Sequence, residues 1–153
     1  MKTVSRSLLA LALLGATTAA YAAPDNCTIK LKGSDAMQFD LKTATVSASC
    51  PKISVQLLHT GKLNVQVMGH NVVITQTTDV PAVSTAAMKA GAAAGYTPKG
   101  DARVIAATPV IGGGAGTSTT LPGSKLKAGG DYTFFCSFPG HSGIMKGKLV
   151  VTK

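Results

Sequence analysis

The sequence predicts an all-β protein, a Greek-key β-sandwich of seven to eight strands with one short helical insert. Glycine is abundant, at 17 of 153 residues, and charged residues make up only 14%. This composition favours short strands and turns over long solvated helices. Segments that alternate between apolar and polar residues recur along the chain, and turn residues separate them about every 8–12 residues, as in sandwiches and barrels.

Each predicted strand is a short alternating or β-branched segment. The strands are expected at residues 28–32, 38–41 with 43–46 after a break, 53–59, 71–75, 103–106, 118–121, 132–136 and 147–151. The Ala-rich segment from residue 80 has helical spacing, with Asp79 as its N-cap, Pro81 in its first turn and Gly91 at its end. It is the single helical insert.

The first 22 residues have the features of a secretory signal peptide. Lys2 and Arg6 precede the apolar segment 8–14, and Ala20-Tyr21-Ala22 forms a small-x-small cleavage site. Cleavage after Ala22, or after Ala23, leaves a single domain at 23–153. No later segment reaches the roughly 20 apolar residues that span a bilayer. The mature protein is expected to be soluble and periplasmic, without stable membrane association.

The net charge is basic, with 15 Lys+Arg against 6 Asp+Glu and a formal charge of +9. The basic residues occur singly or in spaced pairs, without a basic run interleaved with aromatic residues. This pattern indicates a solvated surface that steers encounters, and it disfavours nucleic acid as a partner.

The cysteine count is odd, which matters in an oxidising compartment. Cys27 and Cys50 lie early in the mature chain, and Cys136 lies near its end in an aromatic segment. If the first two pair, Cys136 is left over. It could then be a buried inert thiol, a dimer-forming cysteine or a metal-bound thiolate.

The C-terminal loop combines the ligand types of a metal site. Cys136, His141 and Met145 lie within ten residues, and His70 precedes a strong strand. Two imidazoles, one thiolate and a weak thioether are the donor set of a blue-copper electron-transfer site. A structural zinc site remains open, although zinc has little use for Met. A Cys–His nucleophile would need an orienting group that the chain does not clearly offer.

Two motifs resemble those of azurins, type 1 blue copper proteins of the cupredoxin family. These are CSFPGHSGIMKGKLVV at 136–151 and GHN at 69–71. Four residues separate Cys136 from His141 and three separate His141 from Met145, as in azurin loops. Plastocyanin-type and pseudoazurin loops have only two between Cys and His. MQFD at 37–40, RVIA at 103–106, KLK at 125–127 and FFC at 134–136 extend the resemblance over the mature chain.

The resemblance implies a cupredoxin-like fold that holds one type 1 copper per chain. His70, Cys136 and His141 would be the strong ligands, Met145 the weak axial ligand and the carbonyl of Gly69 a weaker one opposite. Around the thiolate, Asn71 and the backbone N–H of Phe138 would donate hydrogen bonds. The Cys27–Cys50 disulfide and a helical flap at about 79–91 also carry over.

Three positions depart from the azurin pattern or carry no ligand role. Val72 stands where azurins often have a core Trp, and Ala107 stands where some have a surface His. His59 matches a further azurin histidine that is not a ligand. It is interpreted as a satisfied buried His, with a pH-linked effect on the potential as the alternative.

The resemblance also implies a docking face centred on His141, the ligand expected to reach the surface. Its apolar rim would comprise Leu63, Met68, Met88, Phe138, Pro139 and Ile144. The implied function is single-electron transfer, by a monomer that is not an enzyme, between a donor such as a c-type cytochrome and a terminal reductase or oxidase. A copper-delivery protein without a redox relay is the alternative.

Overall fold

The computed structural model describes residues 26–153, and the predicted signal peptide lies outside the described residues. Its strands and α-helices, in chain order, are β1 (Thr28–Ser34), β2 (Gln38–Phe39), β3 (Thr43–Ser47), β4 (Ile53–His59), α1 (Val65–Met68), β5 (Val73–Gln76), α2 (Val80–Ala90), β6 (Ala106–Ala107), β7 (Gly116–Leu121), β8 (Tyr132–Phe135) and β9 (Lys146–Thr152). Two sheets form the sandwich, ordered β2-β1-β4-β7 and β3-β9-β8-β5-β6. The predicted β-sandwich is therefore confirmed.

Alternation along the strands places the core between the sheets. In β1 and β4, Ile29, Leu31, Val55 and Leu57 are buried, while the residues between them are largely exposed. Strand β8 is different, because all four of its residues are buried. Its inner face joins the main core through Phe134, whereas Phe135 lies beneath α2 against Val83.

The Cys27–Cys50 disulfide and the contacts with His70 lie at opposite ends of the parallel strands β1 and β4. The two cysteines are bonded, with their Cα atoms 5.7 Å apart, and they precede these strands. The other ends of the same strands are Ser34 and His59, and both contact His70. The predicted disulfide is confirmed, and it lies at the end of the sandwich remote from His70.

Two elements follow the sequence prediction closely. Helix α2 begins with Pro81 in its first turn and ends at Gly91, whose φ of 71° favours glycine. Asp79 precedes the helix but makes no side-chain capping bond, because a 3₁₀ turn at Thr77–Asp79 already leads the chain into it. The break predicted within 38–46 is the point where the chain crosses from the first sheet to the second.

Two elements differ from the prediction. The strand expected at 103–106 is reduced to β6, because the Asp101 carboxylate accepts hydrogen bonds from the backbone N–H and the guanidinium of Arg103 and holds a turn there. Helix α1 was not predicted. It begins because the side chain of Asn64 accepts the N–H groups of Gln66 and Val67.

Within residues 26–153, no helix has the length and apolar character needed to cross a membrane.

Candidate metal centre

Three buried side chains bring their ligand atoms together at one end of the sandwich. The ligand atoms of His70, Cys136 and His141 all lie within 4.8 Å of one another. Cys136 Sγ is 4.0 Å from Nδ1 of His70 and 3.6 Å from Nδ1 of His141. One thiol and two imidazole nitrogens therefore face a common point.

The loop at 136–145, here called the ligand loop, is closed by its own backbone. The N–H of Cys136 donates to the carbonyl of Met145 over 2.9 Å, and the N–H of Met145 donates to the carbonyl of His141 over 2.8 Å. The loop joins β8 to β9, which pair antiparallel. Two strands thus fix both ends of the segment that carries Cys136, His141 and Met145.

His70 comes from a distant segment that is held against the ligand loop. Its backbone exchanges two hydrogen bonds of 2.9 Å with Ile111. Its ring Nε2 lies 2.9 Å from the carbonyl oxygen of Ser34 at the end of β1. The ring orientation is therefore set by the first sheet, while the ligand loop belongs to the second.

The atoms around the two ring nitrogens of His70 suit a bound cation. Nδ1 lies 2.9 Å from the carbonyl oxygen of Gly69, so both ring nitrogens face carbonyl oxygens. A neutral imidazole has one proton, and with that proton on Nε2 for Ser34, the Nδ1 lone pair faces the Gly69 oxygen. Burial lowers the pKa of His70, which disfavours a second proton. Gly69, His70 and Cys136 would hold a metal ion with these lone pairs once the Cys136 thiol loses its proton.

The shifted pKa values of Cys136 and His141 also fit a metal site. Burial raises the pKa of the Cys136 thiol to about 11, against hydrogen bonds from the backbone N–H groups of Asn71 and Phe138 that favour the thiolate. A positive ion is needed to hold that thiolate at neutral pH. Burial, followed by the neighbouring His70 and His59, lowers the pKa of His141 to about 4. His141 is therefore neutral at pH 7 and can act as a ligand.

The remaining predicted ligands are Met145 and the carbonyl of Gly69. Two glycines, Gly33 and Gly69, allow the close contacts that place them at the site. A Cβ at Gly33 would lie 2.7 Å from Cδ2 of His70 and 3.0 Å from Cε of Met145, so both side chains rest on the β1 backbone there. A Cβ at Gly69 would lie 2.6 Å from the ring of Phe138. Met145 is fully buried beside His70, and the Gly69 carbonyl lies 3.8 Å from Cys136 Sγ.

Asn71 connects the histidine segment to the ligand loop through its side chain. Its Oδ1 accepts the N–H of Ser137 over 2.9 Å, and its Nδ2 donates to Oγ of Ser137 over 2.8 Å. Ser137 Oγ in turn donates to the carbonyl of Tyr96 over 2.6 Å. Sequence reasoning missed Ser137, Tyr96, Ser34 and Gly33. Of these four residues, only Ser137 had a signal in the sequence, which was its position next to Cys136.

His59 is a buried histidine whose hydrogen bonds are satisfied. Its Nδ1 accepts the N–H of Gly61 over 3.1 Å, and its Nε2 donates to the carbonyl of Met68 over 2.8 Å. Its ring stacks on that of His70 with 4.2 Å between centroids, and Asp35 Oδ1 lies 3.9 Å from Nε2. His59 therefore supports His70 from outside the group of ligand atoms.

The structure corrects part of the expected docking face. Ile144, Met88 and Leu63 are exposed, by 54%, 50% and 41%. Met68 and Pro139 are half-buried. The assignment of Phe138 to the surface rim is wrong: the residue is only 8% exposed, because its ring packs between Gly69, Tyr96 and His141. His141 is also more buried than expected, at 3% exposed, although His70 and Cys136 are at 0%.

A buried thiol and two buried imidazoles, fixed between the sheets of a β-sandwich, define a copper-binding protein of the type 1 class. The chain belongs to the plastocyanin/azurin family of copper binding proteins, whose family model matches residues 25–152. It is a blue copper electron-transfer protein with copper as its cofactor, and the family is not one of enzymes.

Named relatives and a solved structure agree with this assignment. The chain is 50% identical over 137 residues to azurin from Bordetella pertussis, covering 88% of this chain and 91% of the relative. It is 51% identical over 123 residues to azurin from Alcaligenes faecalis, covering 80% and 96%. The structure of azurin Az-iso2 from Methylomonas sp. strain J matches with a TM-score of 0.79 at 38% identity, covering 83% of this chain and 98% of that one.

Proposed function

We propose that His70, Cys136 and His141 are the strong ligands of one copper ion, with Met145 and the carbonyl of Gly69 as weaker ligands. The observation that carries this proposal is the convergence of three buried ligand atoms within 4.8 Å. The lone pairs of His70 Nδ1 and the Gly69 oxygen, which both face Cys136 Sγ, support a cation at the same point. When bound, copper supplies a single-electron couple between Cu(II) and Cu(I).

The residues of the chain favour rapid electron transfer by limiting rearrangement. Thiolate and thioether sulfur suit Cu(I), while imidazole serves both oxidation states. His70 is held by Ser34, and Cys136 is held by the closed backbone of the ligand loop. Because all these side chains are buried, water is kept from the ligand atoms and the donor geometry stays nearly the same in both states.

We propose that electrons enter and leave through His141. It alone of the three converging residues retains any exposed surface. The exposed Leu63, Met88 and Ile144 supply an apolar contact near it, with Met68 and Pro139 partly accessible. Transient redox partners use small contact areas of this kind. The partners proposed are a c-type cytochrome as donor and a terminal reductase or oxidase as acceptor, served by a monomer.

We further propose that residues 1–22 are removed on export and that a single domain at 23–153 works in the periplasm. The disulfide at Cys27–Cys50 supports an oxidising compartment. Mass spectrometry of the protein from a periplasmic extract should show a mature N-terminus at Ala23, or at Pro24 for the alternative cleavage.

The absorption spectrum of the protein loaded with Cu(II) tests the proposed function. A thiolate bound to Cu(II) in this donor set should give an intense visible charge-transfer band. A copper-delivery protein needs an open and exchangeable site, and its Cu(II) form would lack that band. A colourless Cu(II) complex would therefore contradict the electron-transfer proposal.

A further inference from the structure

Every exposed apolar residue of the docking face has a lysine within two residues along the chain. Lys62 precedes Leu63, Lys89 follows Met88, and Lys146 lies two residues after Ile144. All three lysines are exposed. The three pairs come from different elements: the loop before α1, the last turns of α2, and the junction between the ligand loop and β9.

Contacts in the structure bring these three elements to the same end of the sandwich. Ser84 of α2 donates to Ser142 of the ligand loop over 2.8 Å, one helical turn before Met88. The loop carrying Lys62 is tied to the site because Gly61 donates to His59, which stacks on His70. Lys146 directly follows the buried Met145. The three lysines are therefore exposed on the same segments that carry the apolar contact; we call Lys62, Lys89 and Lys146 the lysine collar.

The segments that carry the collar contain no acidic residue. Residues 61–68, 80–90 and 136–148 contain neither Asp nor Glu, and Lys148 adds a fourth positive charge in the last of them. Among residues 26–153, Asp35 is the acid whose side chain accepts hydrogen bonds from these segments, and Asp79 precedes α2 at the end remote from Lys89. The Oδ2 of Asp35 accepts the N–H of Lys62 over 2.8 Å, and this bond lowers the pKa of its carboxyl group. One carboxylate cannot balance the lysines, so this face carries an excess of positive charge.

We propose that the lysine collar docks an acidic redox protein, one whose contact face has a small apolar centre ringed by carboxylates. The inference rests on the proposed function, because it names the kind of partner that would exchange electrons through His141. Charge complementarity favours an acidic partner. A protein is favoured over an anionic lipid surface, because a lipid surface would cover His141 without offering an electron acceptor.

The test compares two triple variants of equal charge change. K62Q/K89Q/K146Q removes the collar. K125Q/K127Q/K153Q removes three lysines from the disulfide end, where Gly123 donates to the carbonyl of Cys50 and Ser47 donates to that of Lys153. Lys153 lies seven residues along β9 from Lys146, which is about 20 Å for an extended strand. Circular dichroism and the visible band of each variant are recorded first.

The binding arm uses a decaaspartate peptide as the acidic probe and NMR of the ¹⁵N-labelled reduced protein. Shifts are expected at the amides of 61–68, 84–90 and 140–148, and the collar variant should lose them while the disulfide-end variant keeps them. Shifts spread evenly over the surface, or centred on the disulfide end, would overturn the proposal. The same arm can be run on the metal-free protein, so it gives a result even if the copper proposal fails.

The kinetic arm uses hexacyanoferrate(III), a trianion, to oxidise the reduced protein in a stopped-flow instrument. At low ionic strength the collar variant should react about tenfold more slowly than the parent, and the control much less so. The difference should shrink in high salt. Equal slowing by both variants would show that net charge alone acts. Pelleting of the parent with phosphatidylglycerol vesicles, lost only in the collar variant, would instead identify a membrane surface and refute the protein partner.

Discussion

At the scale of single residues, the site is defined by lone pairs that converge on one point. Both nitrogens of His70 face carbonyl oxygens, and the buried Cys136 thiol has a raised pKa despite two backbone N–H groups beside it. The Cys136 thiol is the donor that faces both acceptors, 3.8 Å from the Gly69 oxygen and 4.0 Å from Nδ1 of His70, which are long hydrogen bonds. A metal ion that replaces the thiol proton would use the same three lone pairs as ligands.

The two sulfur residues should respond differently to substitution. Cys136→Ser should abolish the visible band and redox activity, because a serine oxygen cannot replace the soft thiolate donor. Met145→Leu should keep copper and colour while raising the reduction potential, since the lost thioether helps the oxidised form more. Absorption spectra and voltammetry measure both effects. Loss of copper from Met145→Leu would show that Met145 is a main ligand and that the trigonal arrangement is wrong.

The sequence was informative about these residues because ligand chemistry is encoded in residue type and spacing. It was less informative about exposure. Phe138 was expected at the surface, yet it fills the space above Gly69. A lone apolar residue in a loop carries no periodic pattern, so its burial depends on what packs over it. The role of Ser137 was hidden for a related reason, because its partners Asn71 and Tyr96 are distant in sequence.

At the scale of elements, strand β1 helps to position the site. Gly33 has no side chain, so the backbone of β1 can contact His70 and Met145 directly. Gly33→Ala would place a methyl group 2.7 Å from the His70 ring and 3.0 Å from Met145. We expect weaker copper binding, a shifted visible band and a loss of stability of about 1–3 kcal/mol. Copper titration and urea unfolding measure these effects.

Gly143→Ala is the matched control for that variant. Gly143 lies in the ligand loop, but a Cβ there would have nothing within 4 Å. It should therefore leave the band and the copper affinity unchanged. If Gly33→Ala also leaves the visible band and the copper affinity unchanged, the contact of β1 with His70 and Met145 does not set the geometry of the site.

The turn at Asp101–Arg103 shows why one predicted strand is reduced to the two residues of β6. The alternation in RVIA suggested a strand, but the bond between Asp101 and Arg103 holds the chain in a turn. Helix α1 was missed for the opposite reason. Four residues are too short for a periodic signal, and the cap at Asn64 became evident only from its bonds. In contrast, α2 is long enough to be predicted, because its apolar spacing, Pro81 and Gly91 all indicate the same helix.

This turn gives a prediction about pH. The side-chain hydrogen bond from Arg103 lowers the pKa of Asp101 to about 2, below its usual value of 3.8. A lowered carboxyl pKa contributes stability that is present above the usual value and is lost as the pH falls toward 2. Arg103→Gln should return the pKa of Asp101 toward 3.8. An NMR titration of the Asp101 carboxyl carbon checks this, and an unchanged pKa in the variant would contradict the assignment.

At the scale of the whole molecule, the sandwich separates a crosslinked end from a metal-binding end. The parallel strands β1 and β4 carry Cys27 and Cys50 before their first residues, and Ser34 and His59 at their other ends. The overall fold could be predicted because alternation and turn spacing run through the whole chain. The strand pairing could not, since parallel pairs such as β3 with β9 join segments about a hundred residues apart.

Removing the disulfide should test whether these two ends act independently. The bond closes a loop with a sequence separation of 23, and its loss should cost about 3 kcal/mol by the chain-entropy argument. The double variant Cys27→Ala/Cys50→Ala should therefore unfold at lower urea in the metal-free form. Copper bound only by the folded state adds stability to parent and variant alike. The visible band and the potential should remain unchanged, because His70, Cys136 and His141 are held by Ser34, Asn71 and the ligand loop rather than by the disulfide end. Urea unfolding of both forms, with spectra of the loaded protein, measures the two effects separately. A shifted band in a variant that is still folded would show that strain passes along β1 and β4, and that the ends are mechanically coupled.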